Sequence, residues 1–159
     1  MYNLERVDEM NQKRMNRLIE TMKRESVEAV LIIPSETLGF YTGHVPLLCE
    51  RFQGLFVKRS GDYFYFCNQL TRSEAVAMVG ASRTYTWHQL EKVLESHGLL
   101  GKRIAVDSKA RAFNVLTIQE NIDILFYSGK ELLESVALYK TEEEMDLLRK
   151  AAALTDRVI

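Results

Sequence analysis

The side chains best suited to chemistry lie in an irregular stretch between two strand-like segments. Aromatic, hydroxyl and imidazole groups surround a glycine in the run Phe40-Tyr41-Thr42-Gly43-His44, and Arg51 follows seven residues after His44. An arginine directly before an apolar strand suits bidentate capture of a carboxylate, and loops carried by a rigid sheet are common binding sites. Surface ion pairs of arginine are also common, so the residues alone leave both interpretations of Arg51 open.

Other groups that could react have simpler interpretations. Cys49 could be a nucleophile only beside a general base such as His44, and two incidental thiols of a reducing compartment explain Cys49 and Cys67 more simply. The carboxylates of residues 142–146 complement the start of a predicted helix. The sequence contains no P-loop, no Gly-x-Gly-x-x-Gly motif and no Gly-x-Ser-x-Gly elbow. It therefore assigns no catalytic residue and no metal ligand.

Composition narrows the class of protein. The chain has 159 residues, of which 47% are hydrophobic and 27% charged, with a formal net charge of −1. These values favour a folded domain over a disordered chain, and the balanced charge argues against a nucleic-acid partner. There is no apolar run long enough to span a membrane and no signal-peptide core at the start. The expected location is the cytoplasm.

Periodicity predicts the elements that must position these side chains. Met15, Leu18, Ile19 and Met22 fall on one helical face, and the apolar run 27–33 predicts a strand covered on both faces. An antiparallel hairpin is expected at 52–57 and 63–67. Further strands are predicted at 83–86, 103–106 and 122–127, and a helix at 111–120. Capping boxes predict helix starts at Thr71, Thr86, Ser128 and Thr141. This order indicates an α/β fold, with a mixed parallel and antiparallel sheet and flanking helices.

The last predicted helix, over 142–159, has no stop signal. A natural chain end usually frays in polar residues, so the pattern is typical of a helix cut within its length. We therefore expect a fragment of a longer protein.

Three segments, taken in order, resemble the N-terminal domain of the creatinase/prolidase/aminopeptidase P family. The first is the strand and turn of 28–43, in which Gly43 matches a family glycine, and the second is the strand of 51–57. The third is the family's domain junction at 138–151. Its matching residues are Lys140, Glu144, Leu148, Arg149 and Ala151.

The resemblance implies a ribonuclease H-like domain over residues 1–139. Residues 140–159 would then be the junction and first helix of a "pita-bread" catalytic domain. In the family that domain binds two divalent metal ions, of the manganese, cobalt or zinc class, and hydrolyses the peptide bond before proline. The present chain would supply no catalytic residue, no metal ligand and no cofactor.

The implied role of this domain is to shape the active-site entrance and support a homodimer. The parent enzyme would bind proline-containing peptides, with no nucleic-acid or membrane partner. The resemblance makes Arg51 the first substrate-binding candidate and His44 the second. Two alternatives remain open: a stand-alone binding or interaction module of the same fold, and the N-terminal domain of a creatinase-like amidinohydrolase.

Overall fold

A computed structural model describes residues 4–47 and 49–156, with side chains described from residue 11 onward. The helices are α1 (Leu4–Arg24), α2 (Glu36–Thr42), α3 (Arg72–Val79), α4 (Leu90–Ser96), α5 (Ala112–Asn121), α6 (Lys130–Leu138) and α7 (Glu142–Thr155). The strands are β1 (Ala29–Ile32), β2 (Gly54–Lys58), β3 (Tyr63–Cys67), β4 (Thr84–Thr86), β5 (Lys102–Val106) and β6 (Ile124–Ser128). Short 3-10 turns occupy Ala81–Arg83 and Trp87–Gln89. The predicted end of the last helix, at 157–159, lies outside the described residues.

The strands form one mixed sheet in the order β4-β3-β2-β1-β5-β6. Only β2 runs antiparallel to its neighbours, pairing with β3 in the predicted hairpin and with β1 on its other side. The pairs β1–β5, β5–β6 and β3–β4 are parallel. The predicted fold class is therefore confirmed.

Helices cover both faces of the sheet. One core joins the sheet to α1, α2, α3 and α6, and the other joins it to α4 and α5. All four residues of β1 are buried, as a strand between two helical layers requires. The near-continuous apolar run of 27–33 therefore reflects a central position in the sheet.

The capping predictions have mixed outcomes. Thr141 and Glu144 form the expected capping box at the start of α7. Ser128 does not start α6, because it still pairs with Val106 at the end of β6, and the N-cap is Gly129. A Cβ at Gly129 would lie 3.1 Å from the backbone nitrogen and oxygen of Val106. The N-cap position therefore lies where two backbones approach closely and a side chain would have little room.

Arg14 connects three helices. Its Nε and Nη2 donate to Oε1 of Glu144 on α7, at 2.9 and 2.7 Å. Its Nη1 donates to the carbonyl oxygen of Phe40 on α2 at 2.9 Å, and the guanidinium lies 4.3 Å from the centre of the Phe40 ring. The side chains of Arg14 and Glu144 are only 15% and 10% exposed. This partly buried pair holds the start of α7 against α1.

Replacing Glu144 with glutamine should lower the free energy of unfolding at neutral pH by about 1–3 kcal/mol, because a charged hydrogen-bond acceptor is lost. Burial raises the pKa of Glu144, but hydrogen bonds from the Thr141 amide and Arg14 outweigh it, so the pKa is lowered overall. The carboxylate therefore contributes stability above its unfolded pKa of about 4.3, and loses that contribution as the pH falls through the lower folded value.

Urea unfolding of Glu144→Gln and wild type at neutral and acidic pH measures this difference. The difference in free energy of unfolding between wild type and Glu144→Gln should disappear at acidic pH, where Glu144 is protonated in the folded and the unfolded state. Glu143→Gln is the matched control, since its pair with Lys13 is about half exposed and should contribute less than about 1 kcal/mol. A difference that does not depend on pH would contradict a stabilising role of the Glu144 carboxylate.

Candidate functional site

A small cleft opens beyond the carboxyl end of β1. Because β2 runs antiparallel to β1, the start of β2 lies beside the end of β1. The parallel neighbour β5 leads into α5 at the same edge of the sheet. Ligands of α/β proteins commonly bind at the carboxyl edge of parallel strands. The apolar lining residues are Leu31, Ile33, Pro34, Phe52, Ala110 and Val115, and the polar ones are Cys49, Arg51, Gln53, Arg111 and Asn114.

Gln53 organises the loop that forms one wall of this cleft. It is 4% exposed, and its Nε2 donates to the Leu47 carbonyl oxygen at 3.0 Å and to Cys49 Sγ at 3.3 Å. Its Oε1 accepts from Thr71 Oγ1 at 2.9 Å and from the Tyr65 hydroxyl at 3.4 Å. Burial raises the pKa of Tyr65 far above its usual value, so that hydroxyl remains a donor.

Asn68 holds the same loop from a second direction. Its Nδ2 donates to Cys49 Sγ at 2.8 Å, and its Oδ1 accepts from the amides of Leu70 and Thr71 at 2.8 and 3.2 Å. Thr71 is the N-cap residue of α3, but its hydroxyl makes no capping bond and instead donates to Gln53. The predicted capping box at Thr71 is therefore replaced by a bond that positions the loop.

Gln53→Leu should lower the free energy of unfolding by about 2–3 kcal/mol, because it leaves buried polar partners without their hydrogen bonds. The substitution keeps the approximate size of the side chain, so packing changes little. Thermal and urea unfolding measure the loss, and Gln69→Leu is the control at an exposed glutamine. Equal stability of the two variants would show that Gln53 does not organise the loop.

The two predicted binding residues lie in different places. Arg51 lines the cleft, and among the residues described it forms no ion pair. His44 is not among the lining residues; its Nε2 lies 3.7 Å from Glu74 Oε2 on α3, and its side chain is 46% exposed. The structure also gives Cys49 other partners, Gln53 and Asn68, in place of a bond to His44. The Cys49–His44 dyad considered from the sequence is therefore not formed in the described part of the chain.

Sequence patterns did not point to Arg111 as part of this site. The sequence predicted it only as the first residue of a helix, and it is the N-cap residue of α5, without a side-chain capping bond. Only the strand topology could have indicated Arg111. Because β1 and β5 are parallel, the loops that follow these two strands lie at the same edge of the sheet.

A larger hollow of about 230 Å³ lies between α2 and α6. The buried carboxylate in it, Asp107, already has partners: Ser35 Oγ donates to Oδ2 at 3.1 Å, and the Lys109 amide donates to Oδ1 at 3.0 Å. Asp107 therefore stabilises the loop after β5.

The described residues contain no group of three or more histidine, cysteine, aspartate or glutamate side chains that could hold a metal ion. No helix in that part of the chain is long and apolar enough to cross a membrane.

The mixed sheet, with one antiparallel strand and helices on both faces, is the α/β arrangement predicted above. The chain belongs to the Creatinase/Prolidase N-terminal domain family, whose profile matches residues 14–150. The predicted family and fold are thereby confirmed.

One curated relative and several solved structures are similar to this chain. The chain is 26% identical over 154 residues to the Bacillus subtilis (strain 168) protein named "Putative dipeptidase YkvY", covering 90% of this chain and 42% of that protein. The fold is similar to a dipeptidase from Pyrococcus horikoshii OT3 (24% identity, TM-score 0.73, 91% of this chain and 42% of that chain). It is also similar to the dipeptidase PepE from Mycobacterium ulcerans (20% identity, TM-score 0.79, 95% and 43%). The chain thus spans about two fifths of the length of these proteins.

Proposed function

We propose that the chain is the non-catalytic N-terminal domain of a metal-dependent Xaa-Pro dipeptidase or aminopeptidase. The observation that carries this proposal is the family match over residues 14–150, together with the relative named as a dipeptidase, of which the chain covers 42%. The parent protein would hydrolyse the peptide bond before proline, in the cytoplasm.

The exposed side of α7 supports the proposed boundary at 139/140. Leu147, Leu148 and Leu154 on this helix are 54%, 52% and 63% exposed, although its first turn is fixed to α1 through Glu144. Contiguous exposed apolar side chains are typical of a surface that packs against another domain. We assign this surface to the catalytic domain that would follow.

The metal ions of the parent would be bound by that following domain. The side chains described in this chain do not fit a two-metal centre, since they contain no convergent set of ligands. The roles of this domain would be to shape the active-site entrance, to support the dimer and to contact substrate through Arg51, with His44 as a second contact.

The experiment that tests the proposal is an assay of the full-length protein containing this chain. With manganese present, it should hydrolyse Xaa-Pro dipeptides, and the 159-residue chain alone should not. Turnover of creatine-type amidines in place of peptides would indicate the amidinohydrolase alternative. High-affinity partner binding without any hydrolysis by the full-length protein would indicate an interaction module.

A further inference from the structure

We infer that the cleft is a carboxylate site with two arginines, in which Arg111 is the second guanidinium beside Arg51, and that its occupant is a free terminal carboxylate. Both side chains are exposed, and both line the same cleft from different elements. Arg51 precedes β2, and Arg111 precedes α5. The assignment of Arg111 goes beyond the proposed function, which involves Arg51 and His44 only.

The positive charge of the cleft is the first argument for a carboxylate site. Neither guanidinium forms an ion pair with any residue that the structure describes, and the lining of the cleft contains no aspartate or glutamate. Two like charges that share a cleft without a counter-charge attract an anion. Guanidinium groups match the planar, two-oxygen geometry of a carboxylate.

Size and polarity favour an organic carboxylate over a larger or fully polar anion. The cleft holds about 30 Å³, which is space for roughly two water molecules and therefore for a carboxylate head group. Leu31, Phe52 and Val115 line the same cleft, so carbon atoms next to the carboxylate would contact apolar side chains. The first turn of α5 contains no acidic residue that would repel an anion.

If the proposed function holds, the carboxylate is the one that the proline of a Xaa-Pro dipeptide carries. The identification of proline depends on the proposed function, whereas the carboxylate site itself does not.

The test uses the 159-residue chain and two probes of equal size, N-acetyl-L-proline and its uncharged amide, N-acetyl-L-prolinamide. Titration followed by amide chemical shifts should show saturable binding of the acid at residues 110–115, and no binding of the amide. Arg51→Gln and Arg111→Gln should each weaken binding of the acid about tenfold or more, since each removes a charge-assisted pair. Arg24→Gln, an exposed arginine paired with Glu25 outside the cleft, should leave it unchanged.

Three results would overturn the inference. They are equal binding of acid and amide, wild-type binding by Arg111→Gln, and tighter binding of inorganic phosphate than of N-acetyl-L-proline. Unfolding curves of each variant establish that it is folded. Hydrolysis by the full-length protein is a separate readout, so acid binding by this chain without Xaa-Pro hydrolysis by the parent would reject the proposed function and retain the carboxylate site.

Discussion

Arg51→Ala in the full-length protein should lower kcat/KM for Xaa-Pro dipeptides by roughly 30- to 150-fold. A lost charge-assisted pair with the substrate carboxylate is worth about 2–3 kcal/mol, and each 1.4 kcal/mol corresponds to a factor of ten. The carboxylate is not part of the scissile bond and keeps its charge throughout the reaction, so its pair with Arg51 should be equally strong before and during the reaction. The loss should therefore appear mainly as a raised KM, with kcat little changed.

Three comparisons isolate this effect. Arg24→Ala removes the same charge outside the cleft and should behave as wild type. A substrate with an amidated carboxyl terminus should be a poor substrate for wild type and insensitive to Arg51→Ala. Because Arg51 is exposed, the variant should unfold within about 0.5 kcal/mol of wild type. Unchanged kcat/KM in a folded variant would remove Arg51 from the site.

Phe64→Ala should destabilise the chain by about 3–5 kcal/mol, the range for truncating a buried aromatic side chain. Phe64 is 1% exposed and lies on β3, beneath α4. Its ring stacks on Phe56 at a centroid distance of 5.4 Å and on His97 at 4.1 Å, and it meets Phe66 edge to face at 5.9 Å. The substitution therefore removes apolar burial and several ring contacts together.

Urea unfolding followed by circular dichroism measures the loss. Phe113→Ala is the matched control, because Phe113 on α5 is 77% exposed and its truncation should change stability by less than about 1 kcal/mol. A loss below about 1.5 kcal/mol for Phe64→Ala would contradict the placement of β3 at the centre of this core.

The central elements of the fold were predictable because their apolar runs are continuous. The run 27–33 and the two hairpin segments are mostly apolar, and such runs predict strands with helices packed on both faces of the sheet. The helix α2 was missed, since the sequence predicted only an irregular stretch between two strands, whereas Glu36–Thr42 are helical. The sequence carries a serine and a glycine at the two ends of this helix: Ser35 Oγ accepts from the Leu38 amide at 3.4 Å, and Gly43 ends the helix at φ 74°. The internal Gly39 obscured this pattern.

The site was predictable only in part, because it is assembled by long-range pairing. Arg51 could be placed at the mouth of the sheet, since it directly precedes an apolar strand. Arg111 is 60 residues further along the chain and joins the cleft only through the parallel pairing of β1 with β5. Gln53 and Asn68 had no pattern of their own, since a buried amide is recognised only by its hydrogen-bond partners. Their roles required the structure.

The most direct test of the account is the hydrolysis of a Xaa-Pro dipeptide by the full-length protein and by the 159-residue chain, measured side by side with manganese. We expect turnover by the full-length protein that is abolished by chelation, and none by the isolated chain. Metal-dependent turnover by the isolated chain would contradict it, as would a folded full-length protein that hydrolyses no Xaa-Pro bond.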